Sequence, residues 1–491
     1  MTYALTEEQQ NIIDAIVSPK DQIIAVNAVA GSGKSSTCKA IVETYQPENG
    51  FYTAFNKGII TDSAKKFGNL IEAKTLHALA YKYVKLKKSI EEFNYNSFKN
   101  DDLEYEEKLE IIEMLDNFYR SSYVDLDVYI TDHPTTDTIE EKVLEYADKM
   151  LKGEVNPTFN FMLKCLHLLL ANKELEINFD LFLLDECQDV TPVTLAIFKL
   201  IHADCKVLLG DKYQNIYSFM HTVNAFNRLD NLNIFPLTQS FRCSTNVANT
   251  VQKYGKQHLE NNFIFKGTDK VKSDKLPKVA YITRTNAMLI ERMHNLLTSN
   301  QSFYTIRSID EIFALPMALL NAANNKPVYD KRYKYLEKEY NKYTKENSNA
   351  SRKMSFFDYI VEVTNDCSLE CIIKMLTNFR NKNINIFSLK KKIAEIHPNK
   401  NIILSTAHAF KGLEADVIFI ENDLNRAVTT AIKEKANYMT SDYDKIFDRI
   451  SNQTPKFTVT RSLSDIQEDL NVYYVALSRA KSNIINMRYD N

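Results

Sequence analysis

The sequence predicts an α/β fold with two doubly wound parallel-sheet domains, each interrupted by a mainly helical insertion. Three observations predict it: short apolar runs recur along the chain, helical patterns alternate with them, and the alternation breaks twice. Several runs are continuously apolar, which is typical of parallel strands that are covered on both faces. A chain of 491 residues is also long enough for more than one domain.

The apolar runs divide the chain into two series of predicted strands. The first series comprises Ile23–Val26, Phe51–Phe55, Leu181–Leu184, Lys206–Leu209 and Ile234–Leu237. The second series comprises Val279–Thr283, Ile402–Ser405, Val417–Ile420 and Ile484–Met487. A first helix is expected to begin at Thr6, because Thr6-x-x-Gln9 has the pattern of a capping box and the apolar residues that follow share one face.

The two breaks in the alternation predict the domain boundaries. We expect a first α/β domain at residues 1–84 and 161–245, with a helical, acidic insertion at 85–160. A second α/β domain is expected at 246–304 and 396–491, with a small helical insertion at 305–395. The second insertion contains a stretch rich in Tyr and Lys, Tyr329–Lys353. This stretch could grip a nucleic-acid backbone, or form a solvated helix whose Tyr residues pack beneath it.

Composition excludes few functions. A net charge of −2 leaves nucleic-acid binding open, because a groove can be basic on a neutral protein. The seven cysteines form no paired ligand pattern, which argues against a zinc site and for a reducing compartment. The chain shows neither a signal-peptide pattern nor an apolar run long enough to span a membrane. We therefore expect a location in the cytoplasm, or in the nucleus of a eukaryotic cell, and no secretion.

The segment that follows the first predicted strand has the composition of a phosphate-binding loop. Its residues, with the start of the helix-like run that follows, are Ala30, Gly31, Ser32, Gly33, Lys34, Ser35 and Ser36. In such a loop the N–H groups and the helix N-terminus face the phosphates, the Lys contacts the β/γ oxygens and the Ser hydroxyl binds Mg²⁺. Because Ala28 stands where the general pattern has Gly, an ordinary turn before a buried helix remains the alternative.

Glycine usage supports the loop interpretation. The chain has only 10 Gly in 491 residues, about 2% against a usual 7%. Four of them, Gly31, Gly33, Gly210 and Gly412, fall inside the motifs described here. A chain that otherwise avoids Gly has kept it where the backbone must approach a ligand or adopt a positive φ.

Two carboxylates follow the predicted strand Leu181–Leu184. Because ligands bind at the carboxyl ends of parallel strands, Asp185 is expected to hold Mg²⁺ together with Ser35. Glu186 is expected to orient and deprotonate the attacking water. The alternative is an acidic loop after a buried strand.

The order of the motifs resembles that of superfamily 1 DNA helicases of the UvrD/Rep type. The resemblance begins with the phosphate loop, Asp185–Asp189 and Gly210–Phe219. It continues through Leu237–Arg242, Thr283–Ala287, Thr406–Glu414 and Val472–Lys481, in the family's order. Within that group, Thr53–Lys57 and Thr75–Tyr81 are most similar to the F-box DNA helicase branch.

The resemblance implies two RecA-like domains of the P-loop NTPase class, with ATP and Mg²⁺ as cofactors. It implies that Gln9 reads adenine, although Gln9 also fits the capping box and both roles can hold. By the same resemblance Phe241 stacks on adenine and Glu414, beside Gly412, contacts the ribose. Gln214 senses the γ-phosphate, while Arg242 and Arg479 are the arginine fingers that meet charge on the transferred phosphoryl group.

The resemblance also implies a path for single-stranded DNA. The implied contacts are Asn56, Lys57, Thr75, His77, Tyr217, Phe219, Thr406 and His408. Tyr217 and Phe219 are expected to stack on bases, the alternative being core positions. His77 and His408 could instead be structural histidines with partners inside the protein.

The function implied is an ATP-dependent DNA helicase that moves 3′→5′ on single-stranded DNA as a monomeric motor. Its expected partners are single-stranded DNA, junctions of single- and double-stranded DNA, and proteins of replication, recombination or repair. Two alternatives share the motifs: a DNA-stimulated ATPase that strips proteins from DNA without processive unwinding, and an ATP-gated DNA-binding scaffold.

Overall fold

The structure is a computed structural model that describes residues 4–17, 23–54, 56–98, 102–271, 276–349, 354–364, 366–451 and 461–489. The chain divides into two compact units, residues 1–239 and 240–491. In each unit the described strands form one parallel sheet, and helices pack against it. The predicted α/β class with two parallel sheets is therefore confirmed.

The sheet of the first unit has six described strands, and all neighbouring pairs are parallel. They are β1 (Ile23–Ala28), β2 (Gly50–Ala54), β3 (Glu72–Ala73), β4 (Asn178–Asp185), β5 (His202–Gly210) and β6 (Leu232–Leu237). Their order across the sheet is β3-β2-β4-β5-β1-β6. Each strand predicted in this region overlaps one of them, although Phe55 lies outside the described residues. The short β3 has no counterpart in the sequence prediction, because two residues carry no periodicity.

Helices cover both faces of this sheet. In the first unit they are α1 (Glu7–Val17), α2 (Lys34–Tyr45), α3 (Lys57–Phe67), α4 (Leu76–Tyr83), α5 (Tyr105–Arg120), α6 (Leu126–Asp132), α7 (Asp137–Lys152), α8 (Phe159–Ala171) and α9 (Pro192–Leu200). Leu181 and Leu183 of β4 belong to the core under α1 and α2, whereas Phe182 and Leu184 belong to the core under α8 and α9. Burial on both faces explains why this strand is apolar at every central position.

The helices α5 and α7 have a core of their own. It contains Leu115 of α5, Val143 of α7 and Phe93, which lies in the segment before α5. Phe161 of α8 joins this core, while Met162 of the same helix packs into the core of the sheet. The helix α8 is thus the element that connects this helical layer to the sheet.

A lysine is buried where α8 meets the end of α5. Lys164 exposes 1% of its surface, and its Nζ donates to the carbonyl oxygens of Ser121 (2.8 Å) and Tyr123 (2.7 Å). The same Nζ lies 4.4 Å from the centre of the Phe118 ring. Burial lowers the pKa of Lys164 to about 7. Its two short hydrogen bonds tie the end of α5 to α8.

The sheet of the second unit has five described strands, again with parallel neighbours. They are β7 (Val279–Thr283), β8 (Tyr304–Thr305), β9 (Ile402–Thr406), β10 (Ala415–Ile420) and β11 (Ala480–Ile485), in the order β11-β10-β7-β9-β8. The strand predicted at Ile484–Met487 is wrong in its bounds, because β11 ends at Ile485. As an edge strand, β11 carries exposed polar residues that hide it from an apolar pattern.

The helices of the second unit surround its sheet. They are α10 (Thr245–His258), α11 (Asn286–Thr298), α12 (Ile309–Ala323), α13 (Tyr335–Asn349), α14 (Phe356–Thr364), α15 (Cys367–Asn381), α16 (Ile386–Ala394), α17 (Ala407–Phe410), α18 (Asn422–Ser451) and α19 (Leu463–Leu477). None of the described helices, in either unit, is long and apolar enough to cross a membrane.

The helices α12 to α16 share one core with the second sheet. Phe313 of α12 and Phe356 of α14 lie in the same cluster as Leu404 of β9. Tyr340 and Tyr343 of α13 place their rings 5.1 Å and 5.4 Å from that of Phe356. These tyrosines therefore pack beneath their helix, as in the solvated-helix alternative; residues 350–353 of the Tyr-Lys stretch lie outside the described residues.

We predict that Lys164→Met destabilises the protein by about 1–3 kcal/mol at pH 7, because two buried carbonyl groups lose their donor. The difference in free energy of unfolding between the wild type and this variant should grow between pH 7 and 10. In that range the unfolded wild type binds a proton that the folded wild type has released, so the wild type gains stability with rising pH. Urea unfolding at several pH values measures both effects.

The matched control is Lys199→Met, which alters an exposed lysine of α9. Its stability curve should run parallel to that of the wild type at all pH values. A Lys164→Met curve that is also parallel to the wild type would contradict the assigned pKa.

Candidate nucleotide and DNA site

The loop between β1 and α2 has the backbone of a phosphate cradle. Gly31 and Gly33 adopt φ values of 74° and 81°, in the left-handed region that favours glycine. Ala30 and Ser32 are buried, and the Ser32 hydroxyl has no hydrogen-bond partner among the described residues. Lys34, Ser35 and Ser36 form the first turn of α2. A buried hydroxyl beside the N-terminus of a helix fits a bound anion, because the hydroxyl then gains a hydrogen-bond acceptor.

The strand order places three loops at one edge of the sheet. Strand β5 lies between β1 and β4, and Asn27 of β1 is level with Gly210 of β5. The phosphate loop, the acidic pair after β4 and the segment after β5 therefore leave the sheet at the same carboxyl edge.

Lys34 joins two of these loops. Its Nζ lies 3.0 Å from Oδ1 of Asp185 and contacts Oε1 of Glu186. Burial acts to lower the pKa of Lys34, but the two carboxylates outweigh it and hold the pKa above its ordinary value. The predicted phosphate-binding lysine and the predicted acidic pair are thus brought together, with Lys34 charged.

Tyr52 of β2 fixes the other oxygen of Asp185. Its fully buried hydroxyl donates to Oδ2 of Asp185 (2.6 Å) and accepts from Oγ of Ser63 (3.0 Å). Burial and the charge of Asp185 raise the pKa of Tyr52, which keeps the phenol protonated as a donor. Tyr52 was not predicted from the sequence. A tyrosine inside a fully buried strand was the available signal, because its hydroxyl must find a partner.

A second missed residue, Gln188, connects the acidic pair to the next loop. Its Nε2 donates to Glu186, and its Oε1 accepts from the backbone N–H of Asp211 (3.2 Å). A Cβ at Gly210 would overlap Oε1 of Gln188 and lie 2.9 Å from Sγ of Cys187. A larger residue at this position would displace the Gln188 side chain from its hydrogen bonds.

Gln214 lies in the loop after β5, at the same edge. Its Nε2 donates to Oδ2 of Asp211 (2.9 Å), and the residue is buried. Gln214 therefore lies in the same loop as Asp211, whose backbone N–H donates to Gln188.

Gln9 holds the start of α1 and the start of α2 together. Its Oε1 accepts from the backbone N–H of Thr6 (3.0 Å), and its own N–H donates to Oγ1 of Thr6 (3.2 Å), so the predicted capping box is confirmed. Its Nε2 donates to Oγ1 of Thr37 (2.9 Å), next to the phosphate loop. The capping role and a position beside the nucleotide loop are compatible.

In the second unit, Glu414 is shared between two cations. Nε of Arg242 lies 2.8 Å from Oε2 of Glu414, and Nζ of Lys481 lies 3.0 Å from Oε1. Burial acts to raise the pKa of Glu414, but Lys481 and Arg242 hold it below its ordinary value. Although the sequence assigned Arg242 to the first domain, its contacts place it in the unit that begins at Ser240.

Arg479 and Phe241 differ sharply in exposure. Arg479 is buried and donates from Nε to the carbonyl of Val475 (3.1 Å) and from Nη2 to Oγ of Ser478 (3.0 Å). Phe241 is 51% exposed.

Gly412, before Glu414, has a φ of 89°. The guanidinium of Arg242 also approaches the carbonyl of Ser478 (3.4 Å), so both predicted arginine fingers lie near the end of α19.

Three predicted DNA contacts are helix N-caps. Asn56 accepts from the N–H of Gly58 (2.7 Å), Thr75 from Ala78 (3.2 Å) and Thr406 from Ala409 (3.4 Å). Capping explains these residue types without DNA, and the sequence analysis did not consider it. Lys57, in the first turn of α3, is exposed.

The two predicted DNA-binding histidines have protein partners. His77 packs its ring 6.0 Å from that of Phe159, and burial lowers its pKa although a hydrogen bond with the Asn160 side chain acts to raise it. Nε2 of His408 lies 4.0 Å from Oε1 of Glu468, and burial likewise lowers its pKa. These contacts favour the structural alternative without excluding DNA.

Exposed aromatic side chains surround His77. Phe159 is 60% exposed and Tyr81, one turn after His77 on α4, is 71% exposed. Neither was identified from the sequence, because Phe159 continues the apolar face of its helix and its pattern is that of a core residue. Tyr217 is half-buried, with its carbonyl accepting from Oγ1 of Thr222 (2.9 Å). The side chain of Phe219 lies outside the described part of the chain, so its predicted stacking stays a prediction.

Two family models match the chain. The model of an AAA domain matches residues 9–220. The model of a UvrD-like helicase C-terminal domain matches residues 158–489, which is well over half of the chain.

Two curated relatives align with nearly the whole chain. F-box DNA helicase 1 of Gallus gallus is 26% identical over 540 residues, which cover 98% of this chain and 49% of the relative. F-box DNA helicase protein 1 of Schizosaccharomyces pombe is 24% identical over 551 residues, which cover 99% of this chain and 57% of the relative. The chain thus spans about half the length of these relatives.

We predict that Gly210→Ala destabilises the first unit by about 1–3 kcal/mol, because the added methyl group displaces the Gln188 side chain. Chemical denaturation measures the change. The matched control is Gly58→Ala in α3, where the nearest atom to the added methyl is Oδ1 of Asn56 at 3.2 Å. That variant should shift stability by less than about 1 kcal/mol, and equal effects of the two substitutions would contradict the prediction.

Proposed function

Because the chain belongs to the UvrD-like helicase family, we propose that it is an ATP-driven motor that moves 3′→5′ on single-stranded DNA and separates duplex strands. Its two parallel sheets have the RecA-like fold of that family. The observation that carries the proposal is the contact of Lys34 with Asp185 and Glu186 at the carboxyl edge of the first sheet. The names of both relatives support DNA as the substrate.

The phosphate loop and Lys34 are proposed to bind the β- and γ-phosphates of ATP. Loop N–H groups and the Ser32 hydroxyl supply donors, and the ammonium supplies a point charge. The Ser35 hydroxyl and the Asp185 carboxylate are hard oxygen donors of the kind that Mg²⁺ prefers, so the residues present fit this ion. Bound Mg²⁺ neutralises charge on the phosphate oxygens.

Glu186 is proposed as the base that orients water and accepts its proton. Its carboxylate contacts Lys34 and accepts from Gln188, and these contacts hold it at the carboxyl edge of the sheet. Gln214 is proposed to sense the γ-phosphate, and Arg242 and Arg479 to stabilise the charge that develops on it. Gln9 and the exposed ring of Phe241 are proposed to recognise adenine, and Glu414 the ribose.

We propose that single-stranded DNA is bound without base specificity. Tyr217 and Phe219 are candidates for base stacking, and the exposed rings of Tyr81 and Phe159 add two further candidates. Backbone contacts are proposed for the remaining residues implied by the family resemblance: Asn56, Lys57, Thr75, His77, Thr406 and His408. Junctions of single- and double-stranded DNA are the proposed site of action, in the cytoplasm or the nucleus, with a monomer as the working motor.

The first test is ATP hydrolysis with and without single-stranded DNA. Wild-type protein should be stimulated by DNA, and Glu186→Gln should lower the stimulated rate about 100-fold or more, because the general base is lost. Binding of a fluorescent ATP analogue should survive in the variant. Strand displacement on 3′-tailed and 5′-tailed duplexes then measures unwinding and polarity.

The matched control is Asp204→Asn, an exposed carboxylate near the amino end of β5, which should hydrolyse ATP at the wild-type rate. A wild type that binds ATP but hydrolyses none with DNA present would refute the motor. Stimulated hydrolysis without displacement of either duplex would instead indicate the protein-stripping alternative.

We predict that Tyr52→Phe weakens divalent metal binding about 2- to 10-fold. Without the hydrogen bond to Oδ2, the carboxylate of Asp185 is free to rotate. A hydrogen bond of this kind contributes about 0.5–1.5 kcal/mol, which sets the expected loss of affinity. Binding of Mn²⁺ in the presence of ADP, followed by electron paramagnetic resonance, measures the affinity independently of turnover.

Tyr45→Phe is the matched control, because its hydroxyl donates to the carbonyl of Asp180 (2.9 Å) near the other end of the same strand. That variant loses an equivalent hydroxyl that contacts Asp180 rather than Asp185, and it should bind Mn²⁺ like the wild type. If Tyr52→Phe bound Mn²⁺ with wild-type affinity, the hydrogen bond from Tyr52 to Asp185 would not contribute to metal binding.

A further inference from the structure

The second unit contains an open hollow of about 640 Å³ that none of the residues discussed above lines. Its walls are the first three turns of α18, the first turn of α11 and the segment after β11. The side chains around it are polar, apart from Met288 of α11.

Three cations converge on this hollow: Arg426 and Lys433 from α18, and Arg488 from the C-terminal segment. No carboxylate lines it, and none of the three cations forms an ion pair with a described residue. Glu291 of α11 lies within electrostatic range of Arg426 but makes no ion pair with it among the described residues. Three cations gathered in a hollow whose lining contains no carboxylate raise the local positive potential, which attracts anions.

The hollow is held in shape by a buried side chain. Asn425 donates from Nδ2 to the carbonyl of Asn486 (2.7 Å), and its Oδ1 accepts from the hydroxyl of Tyr473 (2.8 Å) and the N–H of Arg488 (3.0 Å). These bonds fix the backbone of Arg488 against α18. Because this backbone is already ordered, ligand binding has less loss of conformational entropy to offset.

The spacing of the cations favours a strand over a single small anion. Arg426 and Lys433 are seven residues apart on one helix face, which separates them by about 10 Å along the axis. Thr430 is exposed between them and can donate as well, and Asn422 is exposed one turn before Arg426. We propose that this basic hollow binds successive phosphates of a DNA strand, a role that rests on the proposed motor function.

The test compares the full-length wild type with the double variant Arg426→Gln, Lys433→Gln. Binding of a fluorescent single-stranded oligonucleotide and of a 3′-tailed duplex is measured over a range of salt concentrations. On the single strand we expect binding at least about five-fold weaker, and a plot of log affinity against log salt that is shallower by about 1.4, because each phosphate contact contributes about 0.7. Thermal melting verifies that the variant is folded.

The matched control removes two exposed lysines of α10, Lys253→Gln and Lys256→Gln, from the same unit. It has the same net charge as the test variant, so equal losses in both would reduce the effect to overall charge and overturn the proposal.

Three results separate the possibilities. If the test variant bound DNA with the wild-type affinity and salt dependence, the proposal that the hollow binds DNA would be overturned, and the proposed motor function would be unaffected. Loss of binding to a fluorescent ATP analogue, with DNA binding unchanged, would assign the hollow to nucleotide phosphates and overturn the DNA assignment. A wild type that binds neither DNA probe would refute both this inference and the proposed function.

Discussion

The ammonium group of Lys34, held between Asp185 and Glu186, is the interaction on which the first unit's candidate site depends. Two adjacent carboxylates at a buried sheet edge repel each other, and removing their cation would leave uncompensated charge in a poorly solvated place. Tyr52 and Gln188 satisfy oxygens that Lys34 does not reach. The site is therefore assembled as a hydrogen-bonded network before any nucleotide binds, with two carboxylates on one ammonium group, and a bound phosphate has to compete with these carboxylates for Lys34.

The second unit balances charge differently. Arg242 and Lys481 both lie on the single carboxylate of Glu414, so a surplus of positive charge remains at that point. Around α18 the surplus is larger, because Arg426 and Lys433 have no carboxylate partner in the described part of the chain. A chain with a net charge close to zero can thus concentrate positive charge locally, and overall composition does not reveal it.

Local patterns predicted the fold class and the phosphate loop, because continuous apolar runs and the Gly-Lys-Ser segment are readable within a few residues. They did not predict Tyr52 as the partner of Asp185, since the two lie 133 positions apart and meet only through the order of strands. The bounds of β11 were missed because an edge strand exposes polar side chains. The boundaries of the two insertions and the roles of the site residues stay predictions.

The two helical segments differ in how their cores are built, and this affects how the molecule comes apart. The helices α5, α6 and α7 share a core of their own, which α8 connects to the sheet, so this layer can open as a separate cooperative unit. The helices α12 to α16 share their core with β9, so loosening them exposes the sheet itself. Hydrogen exchange in the first unit should therefore show two levels of protection, whereas the second unit should exchange as a single foldon.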